Sequence, residues 1–433
     1  MKRVEFKALI DANKELFYQD LAKIIAIPSV KGPAEKGAPY GIENKKVLEA
    51  IMAIAESYGF KPHLVDDAVA YIQIGESEEY LGIAGHLDVV EAGGQWTYPP
   101  FELTQANGKL YGRGILDNKG PIFACFYGLK LLLDQGYQLN KTLRLLFGSD
   151  EESGSSDIPR YLKQEKAPTF AFTPDCKYPV VYGERGIINV EFETTLPAKS
   201  LALISEIEGE QGRSFVPDAL SCTVEGKKIA VQGKRAPSNA PDLGSNGITL
   251  LAGAVKEATN NHELKDYFTW LHESFHEKHL GQGLEMTWQD EMSGSLNVTP
   301  YLLEKTSDGF KLGLSLRYPV SFTESQMMAG LEKAANAQTT VSLVRSLPSL
   351  LTDKNRPEVA ALTKAYDDVT GLDSTPVTTT GATYARFLPN TVAFGPSFPG
   401  QKGIAHNVDE YMDESDLLLN MEIYMNAILN LCE

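Results

Sequence analysis

Apolar residues along this chain fall into two kinds of pattern, and the alternation between them lays out its elements. Short, mostly apolar runs at 81–85, 142–148, 169–172 and 391–394 each end in polar or turn-forming residues, as strands buried on both sheet faces do. Between them, apolar positions three and four apart predict helices over 11–27, 44–58, 122–133, 357–371 and 413–431. Strands alternating with helices predict an α/β fold, a mixed sheet flanked by helices. The pattern changes after Gly183-Glu184-Arg185-Gly186. Paired strands at 220–224 and 228–232, helices near 243–260 and 266–279, a strand carrying Arg317 and a helix over 324–337 predict an inserted α+β block. The 433 residues exceed what one core usually holds. The expected organisation is a discontinuous first domain, residues 1–186 and 345–433, with an inserted domain at residues 187–344. No internal repeat or low-complexity stretch interrupts this order.

Titratable residues gather at the ends of the predicted strands. The first run leads into His86-Leu87-Asp88, and period-two alternation puts His86 and Asp88 on one side, where the carboxylate can hold one imidazole nitrogen and aim the other at a metal. Asp117-Asn118-Lys119-Gly120-Pro121 is a turn-rich loop before a helix, so Asp117 sits at a strand-to-helix crossing. The next two strands deliver Asp150-Glu151-Glu152 and Thr173-Pro174-Asp175, and His406 follows the last. Singly, each has a plainer reading: His86 as a core histidine, Glu151-Glu152 as a solvated helix start. Together they point to a hydrolase site for two divalent cations. Carboxylates at Asp117, Glu152 and Asp175 would remove three of the four charges of two zinc ions, leaving one to favour an ionised water. Glu151 and Glu152 are adjacent, so one can bind metal while the other moves the proton from water to the leaving amine.

The segments Gly85-His86-Leu87-Asp88-Val89-Val90, Tyr111-Gly112-Arg113-Gly114 with Asp117-Asn118-Lys119-Gly120-Pro121, Asp150-Glu151-Glu152-Ser153-Gly154, Thr173-Pro174-Asp175, and Phe394-Gly395-Pro396 with Ala405-His406 carry a resemblance. In order and spacing they resemble the M20 (aminoacylase/carboxypeptidase) family of co-catalytic metallopeptidases, most closely its PepV-type dipeptidases. The resemblance implies a zinc-peptidase-like catalytic domain with an inserted lid domain. It implies two divalent metal ions, expected to be zinc with manganese or cobalt as alternatives. His86 and Asp175 would hold one ion, Glu152 and His406 the other, and Asp117 would bridge them. Glu151 matches the general base and Asp88 the partner of the His86 ring. The peptide bond after the bridging Asp, here Asp117–Asn118, is expected to be cis.

The resemblance extends to substrate binding. Arg317, in Leu314-Ser315-Leu316-Arg317-Tyr318-Pro319, matches an Arg that grips a substrate carboxylate through its bidentate fork. Asn297 matches a lid Asn, and Gly381 belongs to a Gly-rich loop near the substrate backbone, with Ala382 where another Gly is usual. One departure bears on activity: Gly233-Lys234-Arg235-Ala236-Pro237 matches a lid motif in which a His follows the Ala, and here that position is Pro237. In relatives this His donates to the oxyanion, and losing one such donor costs ~10²–10³ in turnover. Lys234, Arg235 and Asn239 are nearby candidates for a replacement. The implied function is hydrolysis of small peptides, dipeptides above all, by a dinuclear metal-activated water with Glu151 as base. The alternatives are an N-acyl amino acid deacylase and a weakly active or inactive peptide-binding homologue. The chain is expected to act as a monomer or a homodimer.

Charge and composition narrow the partners. A net charge of −17 argues against nucleic acid and anionic membranes, and no apolar run approaches the ~20 residues of a membrane span. The four cysteines, at 125, 176, 222 and 432, show no paired spacing, which fits free thiols and a cytoplasmic location. Cys176, beside Asp175, reads as a small buried filler. His272, His276 and His279 sit at helical spacing amid Glu273, Glu277 and Lys278 and read as a polar helix face, not a second metal site.

Overall fold

The computed structural model describes residues 6–433. The chain divides into two compact units, one of Met1–Tyr182, Thr352–Val377 and Ala382–Glu433, the other of Gly183–Leu351 and Thr378–Gly381.

In the first unit the strands lie in the order Pro62–Val65, Val69–Ile74, Leu143–Gly148, Leu81–His86, Phe170–Thr173, Thr391–Ala393. The first two pairings are antiparallel, and the last three, from Leu143–Gly148 onward, are parallel. This is the mixed sheet expected of the sequence. The four parallel strands are buried throughout, which explains their mostly apolar runs. Their C-terminal ends therefore open onto one sheet edge, where the connecting loops of an α/β fold bind ligands.

The helix Lys119–Asp134 is buried on nearly every side, because Phe6–Ile25 and Glu414–Cys432 pack against it. An aromatic cluster fills the contact, with Phe17 stacked on Phe123 and Phe126 set edge-on to Phe147. The helix is thus held rigidly at its start, beside Asp117.

The second unit has its own core. Asn297–Lys305, Gly309–Tyr318, Gly186–Thr195 and Thr339–Leu347 form a four-stranded antiparallel sheet in that order. Helices Gly247–Ala258 and His262–Phe275 supply apolar residues to the same cluster as its strands. Both helices begin later or earlier than the apolar spacing suggests, because local capping decides. The Asn246 side chain accepts from the Ile248 N–H and the Asn261 side chain from the Leu264 N–H, which fixes both starts. His276 leaves the helical conformation, so the second helix ends before His279. The histidines also depart from a solvated polar face. His272 and His276 stack with ring centroids 4.4 Å apart and lie half-buried against Thr249.

Buried polar groups lock the loops at the sheet edge of the first unit. The peptide bond Asp117–Asn118 is cis, as expected. The Asn118 Oδ1 accepts from the His86 N–H at 3.3 Å, and its Nδ2 donates to the Pro174 carbonyl at 2.5 Å. A Cβ at Gly85 would meet that Oδ1 at 2.4 Å, so only glycine lets Asn118 in. At the end of the neighbouring strand, the buried Asp157 accepts from the Ser149, Asp150 and Ile158 N–H groups and from the Tyr384 hydroxyl. A Cβ at Gly148 would lie 1.8 Å from that hydroxyl.

Burial, reinforced by the nearby Asp88 charge, raises the Asp157 carboxyl to about 6 from a usual 3.8. The folded chain then holds this proton up to about pH 6 while the unfolded chain releases it near pH 4, so stability falls as pH rises across that window. The Asp157→Asn variant lacks this slope. Its deficit against wild type, measured by urea unfolding, is expected to shrink by up to about 3 kcal/mol between pH 4 and pH 7. A deficit that does not change with pH would show that Asp157 titrates normally.

Candidate metal centre

The parallel strands deliver the sequence-identified residues to one place. His86 ends its strand fully buried, its Nδ1 2.9 Å from the backbone carbonyl of Asp88. A carbonyl only accepts, so Nδ1 carries a proton and Nε2 is the nitrogen that faces the cluster. The Asp88 carboxylate, 3.4 Å from the same ring, accepts the N–H groups of Glu151 and Glu152 at 3.1 and 3.0 Å. Asp88 thus ties the His86 loop to the Glu151-Glu152 loop as well as orienting the imidazole.

Asp117 stands between the two histidines. Its Oδ1 lies 3.1 Å from His86 Nε2 and its Oδ2 3.0 Å from His406 Nε2. Asp175 Oδ2 is 3.7 Å from His86 Nε2, and Glu152 Oε2 is 3.0 Å from His406 Nε2. Among the described residues two sets of metal-ligating atoms converge within 4.8 Å, one of His86, Glu151 and Asp175 and one of His86, Asp117 and Glu152. His272, His276 and His279 form no such set.

Electrostatics in the cluster are dominated by crowding of like charge. Burial, then the neighbouring Asp175 charge, raises the Glu151 carboxyl well above the usual carboxylate range. Burial and the Asp117 charge push Glu152 to about 6 and Asp175 to about 7. Asp117 alone is lowered: against the effect of burial, hydrogen bonds from His406 and His86 favour its charged form. Burial pulls His86 down, but the surrounding Asp175, Asp117 and Asp88 carboxylates lift it well above its ordinary value. His406, half exposed, is carried to about 11 by Asp117 and Glu152 despite partial burial. Two imidazoles and four carboxylates with surplus negative charge make a donor set suited to hard-to-borderline divalent cations. The residues present fit a pair of ions.

A layer that sequence reasoning did not single out holds this cluster. Glu410 is fully buried. Its Oε1 accepts from the N–H groups of Gly114, Leu116 and Asp117, and its Oε2 from Arg113 Nη1 at 2.6 Å. Arg113 also donates to the Glu91 and Ala92 carbonyls. In sequence, an acid four residues past His406 in a polar loop looks solvated, and only its burial shows otherwise. Cys176 departs from the expected buried filler: it is half-buried, because it begins a two-residue strand paired with Pro396–Ser397 at the rim. None of the four cysteines is in a disulfide.

The residues matched to substrate binding lie in the second unit. Asn297 and Arg317 face each other across neighbouring strands. The Arg317 Nη1 donates to Ser315 Oγ at 3.3 Å, and Asn297 Nδ2 to the Asn239 carbonyl at 3.2 Å. Asn297 lines a cleft of about 500 Å³ with Arg185, His279, Gln282 and Thr380, and Gly381 follows Thr380. Pro237 is exposed and its carbonyl closes a turn with the Ala240 N–H. Of the nearby candidate donors, Arg235 is engaged by Glu210 and Asp218 and stacks on Phe215.

Comparison with known proteins agrees with this geometry. The model of peptidase family M20/M25/M40 matches residues 82–430. The chain is 30% identical to YtjP of Bacillus subtilis strain 168, whose dipeptidase name is itself provisional, over 97% of this chain and 98% of that protein. Among solved structures, human carnosine dipeptidase 1 matches with a TM-score of 0.63 at 16% identity, covering 100% of this chain and 99% of that one. The dipeptidase Dug1p of Saccharomyces cerevisiae matches with a TM-score of 0.64 at 14% identity, covering 100% and 98%. YxeP of Bacillus subtilis, described as a dinuclear metal-binding peptidase, matches at 0.54 and 12% identity, covering 96% and 99%. No helix among the described residues is long and apolar enough to cross a membrane. With the family model spanning most of the chain and the ligand-bearing loops gathered at one sheet edge, the chain belongs to peptidase family M20/M25/M40 and is a metallopeptidase.

Proposed function

We propose that the protein hydrolyses dipeptides at a pair of divalent ions, expected to be zinc, with manganese or cobalt as alternatives. The observation that carries this reading is Asp117 set between His86 and His406, each of its carboxylate oxygens about one hydrogen-bond length from a different imidazole. On this reading His86 and Asp175 hold one ion, Glu152 and His406 the other, and Asp117 spans both. Bound there, the ions would polarise the scissile carbonyl and make a water acidic enough to attack it.

The chain's own residues do the remaining work. Glu151, half-buried and with its carboxyl raised above the usual carboxylate range by burial and Asp175, accepts the proton of the attacking water and passes it to the leaving amine. Asp88 fixes the backbone under Glu151 and the tautomer of His86. In the second unit, the Arg317 fork receives the C-terminal carboxylate of the substrate, with Asn297 beside it and Gly381 leaving room for the peptide backbone. Recognition of a free C-terminal carboxylate favours short peptides as substrates. The four cysteines without a disulfide suit the cytoplasm.

Three outcomes test the reading. Protein stripped of metal and resupplied with zinc, manganese or cobalt is expected to cleave a mixed dipeptide panel and to spare its N-acetylated counterparts. Preference for the N-acylated compounds would identify a deacylase, and no turnover with two ions bound would identify a binding protein. The Glu151→Gln variant is expected to retain both ions and lose at least ~10²-fold in kcat, as loss of a positioned base does. Undiminished turnover would remove Glu151 from that role. The Glu152→Ala variant is expected to hold one ion per chain by elemental analysis, and two would contradict its assignment as a ligand.

A further inference from the structure

We propose that Glu410 is a positioning residue which sets the spacing between Asp117 and His406, so that affinity for the metal pair depends on a carboxylate that binds no metal. The inference rests on the metallopeptidase reading above and extends it to a residue outside the ligand set.

Three loops converge on this one side chain. Glu410 Oε1 takes the N–H groups of Gly114 at 3.1 Å, Leu116 at 2.9 Å and Asp117 at 3.2 Å. The Asp117 donor is the backbone of the residue that lies between the two imidazoles. Its Oε2 takes Arg113 Nη1, and Arg113 Nη2 in turn reaches the Glu91 and Ala92 carbonyls, just past His86 and Asp88. The Glu410 carbonyl accepts the Gly112 N–H at 3.1 Å, and Tyr411 pairs with Tyr111 in the adjoining strand. The segment that carries His406 is therefore fixed to the segment that carries Asp117 by both backbone and side chain. Asp409 adds a further link, accepting the Thr97 N–H and hydroxyl at 2.8 Å.

The chemistry explains why a carboxylate is needed. Every group aimed at Glu410 is a donor, and an ionised carboxylate is the side chain with only acceptors. Arg113 and Glu410 are 1% and 0% exposed at their side chains, so a mismatch there cannot be relieved by water. A glutamine of the same shape would turn its NH₂ either on Arg113 or on the three backbone donors. The strain would fall on the 114–117 backbone, the part of the loop that aims the Asp117 carboxylate. Ligand-orienting partners outside the ligand set typically contribute roughly 10–100-fold to metal affinity.

The test is a zinc titration of the metal-stripped full-length chain by chelator competition, in wild type, Glu410→Gln, Glu410→Asp and Asn420→Ala. Asn420 is a buried amide that accepts from the Tyr178 hydroxyl and donates to the Pro396 carbonyl, and it serves as the control for lost stability without lost positioning. Zinc affinity is expected to fall roughly 10–100-fold in Glu410→Gln, to fall less in Glu410→Asp, and to stay at the wild-type value in Asn420→Ala even where thermal melting is lowered equally. Folded Glu410→Gln protein with wild-type zinc affinity would overturn the proposal, as would an equal loss in Asn420→Ala. Should Glu410→Gln not fold, Glu410→Asp is read instead, and unchanged affinity there overturns it. A wild-type chain that takes up no divalent ion would overturn the metal reading itself, and this inference with it.

Discussion

The arrangement of the first unit depends on one electrostatic constraint: Asp117, Glu151, Glu152 and Asp175 are brought together in a largely buried pocket at one sheet edge. Two like charges ~4 Å apart repel by about 4 kcal/mol at an effective dielectric near 20, and four such groups multiply that cost. The two histidines relieve part of it, which is why Asp117, placed between both, is the one carboxylate whose charged form is favoured. The others keep raised proton affinities, Glu152 near 6 and Asp175 near 7. Divalent cations would answer that imbalance. The same crowding raises the proton affinity of Glu151 above the usual carboxylate range.

A cluster that resists its own assembly has to be held by its surroundings, and the structure does this through backbone groups. Asn118 joins the His86 strand to the Pro174 loop, Asp88 joins His86 to Glu151 and Glu152, and Asp157 braces the turn at Ser149 and Asp150. Each is a short polar side chain buried with its acceptors or donors satisfied, the condition under which such networks rigidify a site. The positions of the candidate ligands are therefore set by buried hydrogen-bond partners. The glycines at 85 and 148 belong to the same device, since each makes room for the polar atom of a brace.

This division explains what could be read in the sequence. Strand runs that are buried on both faces are mostly apolar, so the parallel core and the residues at its ends, His86, Glu151, Glu152 and Asp175, stood out together. Helix existence was legible from spacing, but helix limits in the second unit were not, because Asn246, Asn261 and the turn at His276 set them through local hydrogen bonds that leave no trace in apolar periodicity. Glu410 was silent for a different reason. Its partners are backbone N–H groups, which every residue possesses, so nothing in the identity of residues 114–117 announces an acid nearly three hundred positions later. Cys176 misled because a small residue beside a ligand reads as core, whereas the strand it begins lies at the rim.

The second unit poses the complementary problem, a position where a donor is expected and proline stands. Pro237 has no N–H, and its carbonyl is used in a turn with Ala240. Arg235, the nearest strong donor in sequence, has its guanidinium committed to Glu210 and Asp218. Asn239 offers its carbonyl to Asn297, so this loop is tied to the strand that faces Arg317. On either side of Pro237 the loop is held: Thr299 donates to the Ser238 carbonyl and Lys234 pairs with Ser245. The loop around Pro237 is thus held by its own contacts, with no donor from Pro237 itself.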